Sequence, residues 1–344
     1  MLIFDETKFN QMISRFINLF ILLVPIVMLQ GCSKDEDTPS ADVYVYGSQN
    51  SVAMVWKNGQ ENPITNGSKT SLLSGGAISG SDIYFAGFEI VNGVKVAKYW
   101  RNGVEVVLSD GSKNEEAIAI AISGNDVVVA GYEYNTNSNW IGKYWKNGVA
   151  TLISNSTVFT FVTGVAAVGS DVYVTGIESK ADSVIGKYWK NGTANKVDKN
   201  AKISYAWGIA VQGSDIHIVG ASVTSLGASI AKYWKNGVET ILPNGSRASA
   251  IAISENDIYI SGDNLGSIVY WKNSQVNALA GEANTYSEAN GIFVSKGDFY
   301  VTGAISEITG GQKGSLLWKN GMLEEPFAAT KNTMIAKGVV VLSK

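Results

Sequence analysis

A tryptophan returns along the chain at positions 56, 100, 145, 189, 234, 271 and 318, at intervals of 44, 45, 44, 45, 37 and 47 residues. The letters around it return too: KYWRNG from Lys98, then KYWKNG from Lys143, Lys187 and Lys232, with truncated forms around Trp56, Trp271 and Trp318. A second motif keeps step with it, an Asp followed by alternating Val, Ile and Tyr and closed by Gly. It starts at Asp42, Asp82, Asp126, Asp171, Asp215, Asp257 and Asp298. Self-similarity at a fixed period marks a repeat architecture, and it constrains the fold more than any composition does.

Each period holds four strand-like runs, labelled A to D. Run A precedes the Asp, as in AIAIAIS (117–123) or GIAV (208–211); run B begins at the Asp; run C ends at the Trp; run D follows the Asn-Gly, as in VEVVL (104–108). Run B is apolar on both faces and should be covered on both. Runs A and B are joined by SGS, SGN, VGS or QGS, and C and D by Asn-Gly, which favours the type I′ turn because both central residues take positive φ. The period therefore predicts a four-stranded antiparallel meander. Asn is present in all seven C–D turns (58, 102, 147, 191, 236, 273, 320), while Ser274 replaces one Gly.

A meander with two apolar faces must stack on its neighbours. The sequence from Asp42 opens with a run B, and its last residues, AKGVVVLSK, read as a run A; aligning Gly338 with Gly291 would put the next Asp at 345. An open solenoid would need polar capping repeats. The expectation is an all-β, seven-bladed β-propeller over 42–344, its ring closed by Gly338 to Leu342 pairing beside Val43 to Tyr46. The period resembles the WD40 range, but the Gly-His and Trp-Asp marks of that family and the kelch markers are absent. The resemblance is to propeller architecture and implies no particular chemistry.

Cys32 is the one cysteine, so an intramolecular disulfide is excluded. Before it runs FINLFILLVPIVML (16–29), then QGC, then SKDEDTPS. A short basic stretch, an apolar core and a small residue at the cleavage point form a secretory signal. The fourteen apolar positions, interrupted by Pro25, fall short of the roughly 20 that span a bilayer. LQGC resembles a bacterial lipobox, and the run Lys34-Asp35-Glu36-Asp37 resembles the export tag of surface-exposed lipoproteins in Bacteroidota. The resemblance implies a signal peptide over 1–31, lipidation of Cys32, a polar tether over 32–41 and a place in the cell envelope, on the outer-membrane surface. Asp5 and Glu6 are out of place in a basic leader, which makes Met12 the expected start.

The charge is −3 and the pI about 5.4, so the chain has no overall electrostatic attraction to nucleic acid. The recurrent Trp is expected to fill the wedge between blades, contributing roughly 2–3 kcal/mol each. The recurrent Asp should accept hydrogen bonds from turn N–H groups. The cation after each Trp should do no more than screen it weakly. His217, the single histidine, is expected to be packed. Glu115 and Glu116, adjacent in sequence, are expected to be solvated. No catalytic set, cofactor motif or metal-ligand cluster emerges.

The repeats disagree in the B–C and D–A connections, which share one face of a propeller, and binding residues favour variable loops on a rigid scaffold. The candidate ligand-binding residues are therefore Trp140 and Trp207, the two tryptophans outside the repeat slot, with Tyr134, Tyr205, Tyr286, Glu89, Glu133 and Glu178. The expected function is a surface-anchored, non-catalytic protein that recognises a glycan, peptide or protein through that face. The alternatives are a multivalent lectin with one site per blade at the Lys-Tyr-Trp slot, and a glycan-processing enzyme with channel carboxylates.

Overall fold

The Asn-Gly turns set the frame. In the computed structural model Asn takes φ of 49 to 52° in all seven and Gly 79 to 84° in six, while Ser274 is held at 67°. The side chain of each Asn also ties the turn to the start of strand B. Its Oδ1 accepts from the backbone N–H of the residue after the Asp at 2.8–2.9 Å, and its Nδ2 donates to the Asp at 2.6–3.0 Å. The other Asp oxygen takes the cation that follows the Trp: Lys57, Lys146, Lys190, Lys235, Lys272 and Lys319 at 2.7–3.0 Å, and Arg101 in the second copy. The expected roles are thus corrected. Asn, not Asp, receives the backbone N–H, and the cation is paired with the Asp instead of screening it from a distance.

The structure describes residues 41–135, 139–155, 157–180, 183–279, 285–307, 312–324 and 334–344. The expected signal segment, Cys32 and the tether up to residue 40 lie outside the described residues, and Ala41 already begins a strand. The described residues form twenty-eight strands and no helix. These make five four-stranded antiparallel sheets and one eight-stranded sheet, whose two halves meet through a single parallel pair, Val184 with Ile203. Met334–Ser343 pairs antiparallel with Ala41–Gln49, setting Val341 opposite Val43 and Gly338 opposite Tyr46.

One register holds throughout. Each recurrent Trp stands opposite the residue three after the Asp: Val45, Phe85, Val129, Val174, Ile218, Ile260 and Val301. The seven indoles are 2% exposed or less. Each packs between its own sheet and a neighbouring one: Trp145 clusters with Tyr84, Ala86 and Ala97, and Trp56 with Tyr300 and Leu317. The A strands stand side by side in succession, Ser71–Ser79 against Glu115–Ser123 and so on, and Met334–Ser343 lies beside both Thr285–Ser295 and Ser71–Ser79.

Every A strand carries a β-bulge at one height. The ladder skips Ser74, Ile118, Thr163, Trp207, Ser249, Asn290 and Lys337. Each stands eight residues before its Asp, or before the position where that Asp would fall. The Gly that closes the Asp motif faces this bulge, and the close approach explains it. A Cβ on Gly87, Gly131 or Gly220 would lie 1.9 Å from a carbonyl oxygen of the A strand. The extra residue bends the strand, and only Gly lets the partner backbone follow it.

Candidate functional site

The variable face is built of strand more than of loop. The segment 88–97 continues strand Asp82–Val91, turns at Asn92-Gly93 and resumes as Val94–Arg101, while 202–208 lies almost wholly within Ile203–Gln212. The candidate residues accordingly sit on strands, and all but Tyr286 fall into three groups.

The glutamates form one group. Glu89 accepts from Lys98 Nζ at 2.7 Å, Glu133 from Lys143 and Lys113 at 2.8 Å each, and Glu178 from Lys187. Lys98, Lys143 and Lys187 open the repeated six-letter motif. The fourth, Lys232, lies between Asp198 and Glu239 at 2.9 Å. Burial pushes the Asp198 carboxyl up, but donation from Ser222, Lys232 and the backbone of Asn200 and Ala201 outweighs it and holds the group well below the usual carboxylate range. Burial likewise pushes Glu133 up, and Lys113 and Lys143 bring it below its ordinary value. Glu115 and Glu116 correct the expectation of solvation: they are 6% and 7% exposed, paired with Lys143 and Lys95, and burial raises the Glu115 carboxyl.

Trp140 and Tyr134 belong to an aromatic cluster. Trp140 stacks on Tyr132 at 4.6 Å and on Phe159 at 4.8 Å, with Tyr134 set edge-on at 5.3 Å. Rings of its own chain thus engage the indole closely. Tyr286 stands apart, 44% exposed, its ring against Gly266.

Trp207 and Tyr205 make the third group, and it opens on a cavity. Their rings stack at 5.6 Å and 7°. Trp207 is the bulged residue of its strand and lines a cavity of about 210 Å³ together with the bulged residues Ile118, Thr163, Ser249 and Asn290. Phe161, Val162, Arg247 and Ala289 complete the wall. Arg247 is already engaged, with Nε 2.8 Å from Asp263 and Nη2 3.6 Å from Glu288. Thr163 donates to Ala206 O and Asn290 to Ala336 O, so each stitches its A strand to the next. Ser249 Oγ is buried and meets no partner among the described residues.

Sequence reasoning found Trp207 and missed the other bulged positions. Their signal is positional. The residue before each bulge is apolar and 2% exposed or less: Leu73, Ala117, Val162, Ala206, Ala248, Ala289 and Ala336. The residue after it is Gly or Ala, because neighbouring A strands nearly touch there: a Cβ on Gly75 would lie 2.8 Å from Cα of Ala119. Between these fixed neighbours stands a partly or fully exposed residue that differs from repeat to repeat. The buried slot tryptophans offer no face to a ligand. His217 is buried, its Nδ1 2.6 Å from Tyr233 Oη, and burial lowers its pKa.

No family model and no curated protein sequence matches the chain. Solved structures do. An acylaminoacyl peptidase superimposes with a TM-score of 0.52 at 12% identity, over 84% of this chain and 51% of that one. The beta-propeller domain of the trilobed protease from Pyrococcus furiosus gives 0.50 at 10% identity, over 84% of this chain and 95% of that domain. TolB from Acinetobacter baumannii gives 0.44 at 12% identity, over 83% and 65%. The likeness to the trilobed protease domain, with the four-stranded antiparallel sheets, places the chain in the β-propeller class of folds.

Proposed function

We propose that the chain is a seven-bladed propeller, closed into a ring by Met334–Ser343, that works as a non-catalytic binding protein with its ligand in the central channel. The blade count takes the eight-stranded sheet as two blades, since one residue pair alone joins its halves. Closure is supported by the pairing of that last strand with Ala41–Gln49 and by the packing of Trp56 against Tyr300 and Leu317. In this reading Cys32 carries the lipid that tethers the propeller to the envelope, facing outward. The support is the LQGC sequence behind an apolar run, and palmitate labelling that survives Cys32→Ser would refute it.

The observation that carries the binding reading is the bulged position of strand A, where a variable side chain is set between invariantly small or buried neighbours. Bulges re-aim side chains, and they recur beside sites. Five successive ones converge on one cavity. The saturated ion pairs of Glu89, Glu133 and Glu178 move the site inward from the rim to Trp207.

The test is a binding screen of the full-length protein against glycans, peptides and envelope proteins, repeated with Trp207→Ala. A genuine ligand should lose at least about tenfold in affinity, equivalent to 1.4 kcal/mol, with the melting temperature little changed. A ligand held equally by both proteins would place the site elsewhere.

A further inference from the structure

Resting on that channel reading, we infer that the cavity takes one neutral sugar ring, laid on Trp207 and hydrogen-bonded at Ser249 and Asn290. Size is the first constraint. About 210 Å³ has room for a single pyranose and is smaller than the roughly 300–1,000 Å³ of pockets for drug-sized molecules.

The lining is the second constraint. Trp207 brings its indole to the wall, with Tyr205 stacked on it as support, and Phe161 and Ile118 add further apolar lining. Beside it stand groups that suit hydroxyls. Ser249 Oγ can donate and accept, is buried and meets no partner among the described residues. Asn290 spends its Nδ2 on Ala336 O and has an amide oxygen left to accept. A pyranose has this same division, one C–H face that is apolar and a rim of hydroxyls that both donate and accept. An unmet hydroxyl is costly to leave so, and rotation of the Ser249 side chain towards the cavity that the residue lines would let a ligand hydroxyl satisfy it.

Charge is the third constraint. The one cation in the wall, Arg247, is bonded to Asp263 and faces Glu288, so it has no charge to spare for a carboxylate or phosphate. None of the residues lining the cavity is acidic, which leaves nothing to hold a cationic ligand. A neutral, hydroxyl-rich ring fits, whether a free monosaccharide or the end of a glycan chain.

The experiment is titration of the full-length protein, in a non-glycosidic detergent, with methyl glycosides of glucose, galactose, mannose and N-acetylglucosamine. Methyl glucuronide, adenosine and a Trp-containing tripeptide serve as comparators, with tryptophan fluorescence and calorimetry as readouts. At least one neutral glycoside should saturate. Ser249→Ala should weaken it about 3- to 10-fold and Trp207→Ala more than tenfold, with Trp207→Phe between wild type and Trp207→Ala; melting temperatures show that each variant is folded. An oligosaccharide of the same sugar that binds more tightly identifies a chain end, and equal affinity identifies the free sugar. Failure of every neutral glycoside to saturate, or tighter binding of the glucuronide, overturns the sugar assignment. If adenosine or the tripeptide instead binds in a Trp207-dependent way, the channel site stands without the sugar. Glycoside binding untouched by Trp207→Ala overturns both.

Discussion

The two ends of strand A obey opposite rules. At the turn end, Asp, Asn and the cation after Trp recur in all seven copies. At the bulge, eight residues upstream, the seven side chains are Ser, Ile, Thr, Trp, Ser, Asn and Lys. The turn end is constant because its polar atoms are used: both Asp oxygens, both ends of the Asn amide and the cation all find partners within the unit. The bulge is variable because its backbone constraint falls on the neighbours. Gly opposite and a small residue after it make the close approach possible, while the bulged side chain points out of the ladder and answers to no packing rule shared by the copies. Repetition in this chain therefore marks saturation, and its failure at a fixed position marks freedom to specialise.

The comparison holds only if every unit is built alike, including the one assembled from Met334–Ser343 and Ala41–Gln49. Removal of residues 337–344 is the harshest test. It strips Val339, Val340 and Val341, all at most 4% exposed, from the Trp56 and Tyr44 clusters. At about 1.5–3 kcal/mol for each buried side chain, the loss should be about 5 kcal/mol or more, enough to collapse the cooperative thermal transition. An unchanged melting curve would refute the proposed ring closure through this strand.

A pair of tryptophan truncations sharpens the contrast. Trp145 is 1% exposed and packs across two units, so Trp145→Ala should cost about 3–5 kcal/mol. Trp207 is half-buried at a bulge, and Trp207→Ala should cost about 1 kcal/mol. Chemical denaturation measures both. Equal losses would mean that Trp207 is structural after all and would remove the basis for a binding role.

How far this was legible from sequence follows from the same difference. Strands, turns and Trp depth were legible because each rests on residues that repeat in register. The lysine partners were legible too, though unread: Glu stands seven residues after the Asp in the copies holding Lys98, Lys143 and Lys187. In the copy of Lys232 that position is Ser222, and Asp198 takes over from a neighbouring connection. The first, sixth and last copies hold Met54, Val269 and Leu316 in place of the lysine, with Gln49, Asn264 and Ile305 in place of the acid. The bulge was hidden because a β-bulge leaves alternation intact on either side. Only a column of Gly or Ala flanking a variable residue betrays it, and that column says nothing about which way the side chain points.

The smallest effect concerns acid. The paired lysine, and after it the turn Asn, hold the carboxyls of Asp126, Asp171, Asp215 and Asp257 below their ordinary values. Burial raises Asp42, but Lys57, Asn58 and Lys344 outweigh it and bring it to about 2. A carboxyl with a folded pKa below its unfolded value of about 3.9 binds protons more readily when unfolded. Its contribution to stability is therefore complete above about pH 5 and is lost as pH falls through about 4 towards 2. The melting temperature should fall slightly as pH drops through about 6.5, where the unfolded chain protonates His217 and the buried imidazole resists it, and should decline further below about pH 5. Asp126→Asn should make that decline shallower, because one of the titrating turns is gone. Ser249→Ala, at the bulge, should leave the slope as it was. A slope altered by the bulge variant and untouched by the turn variant would reverse the division between the two ends of the strand.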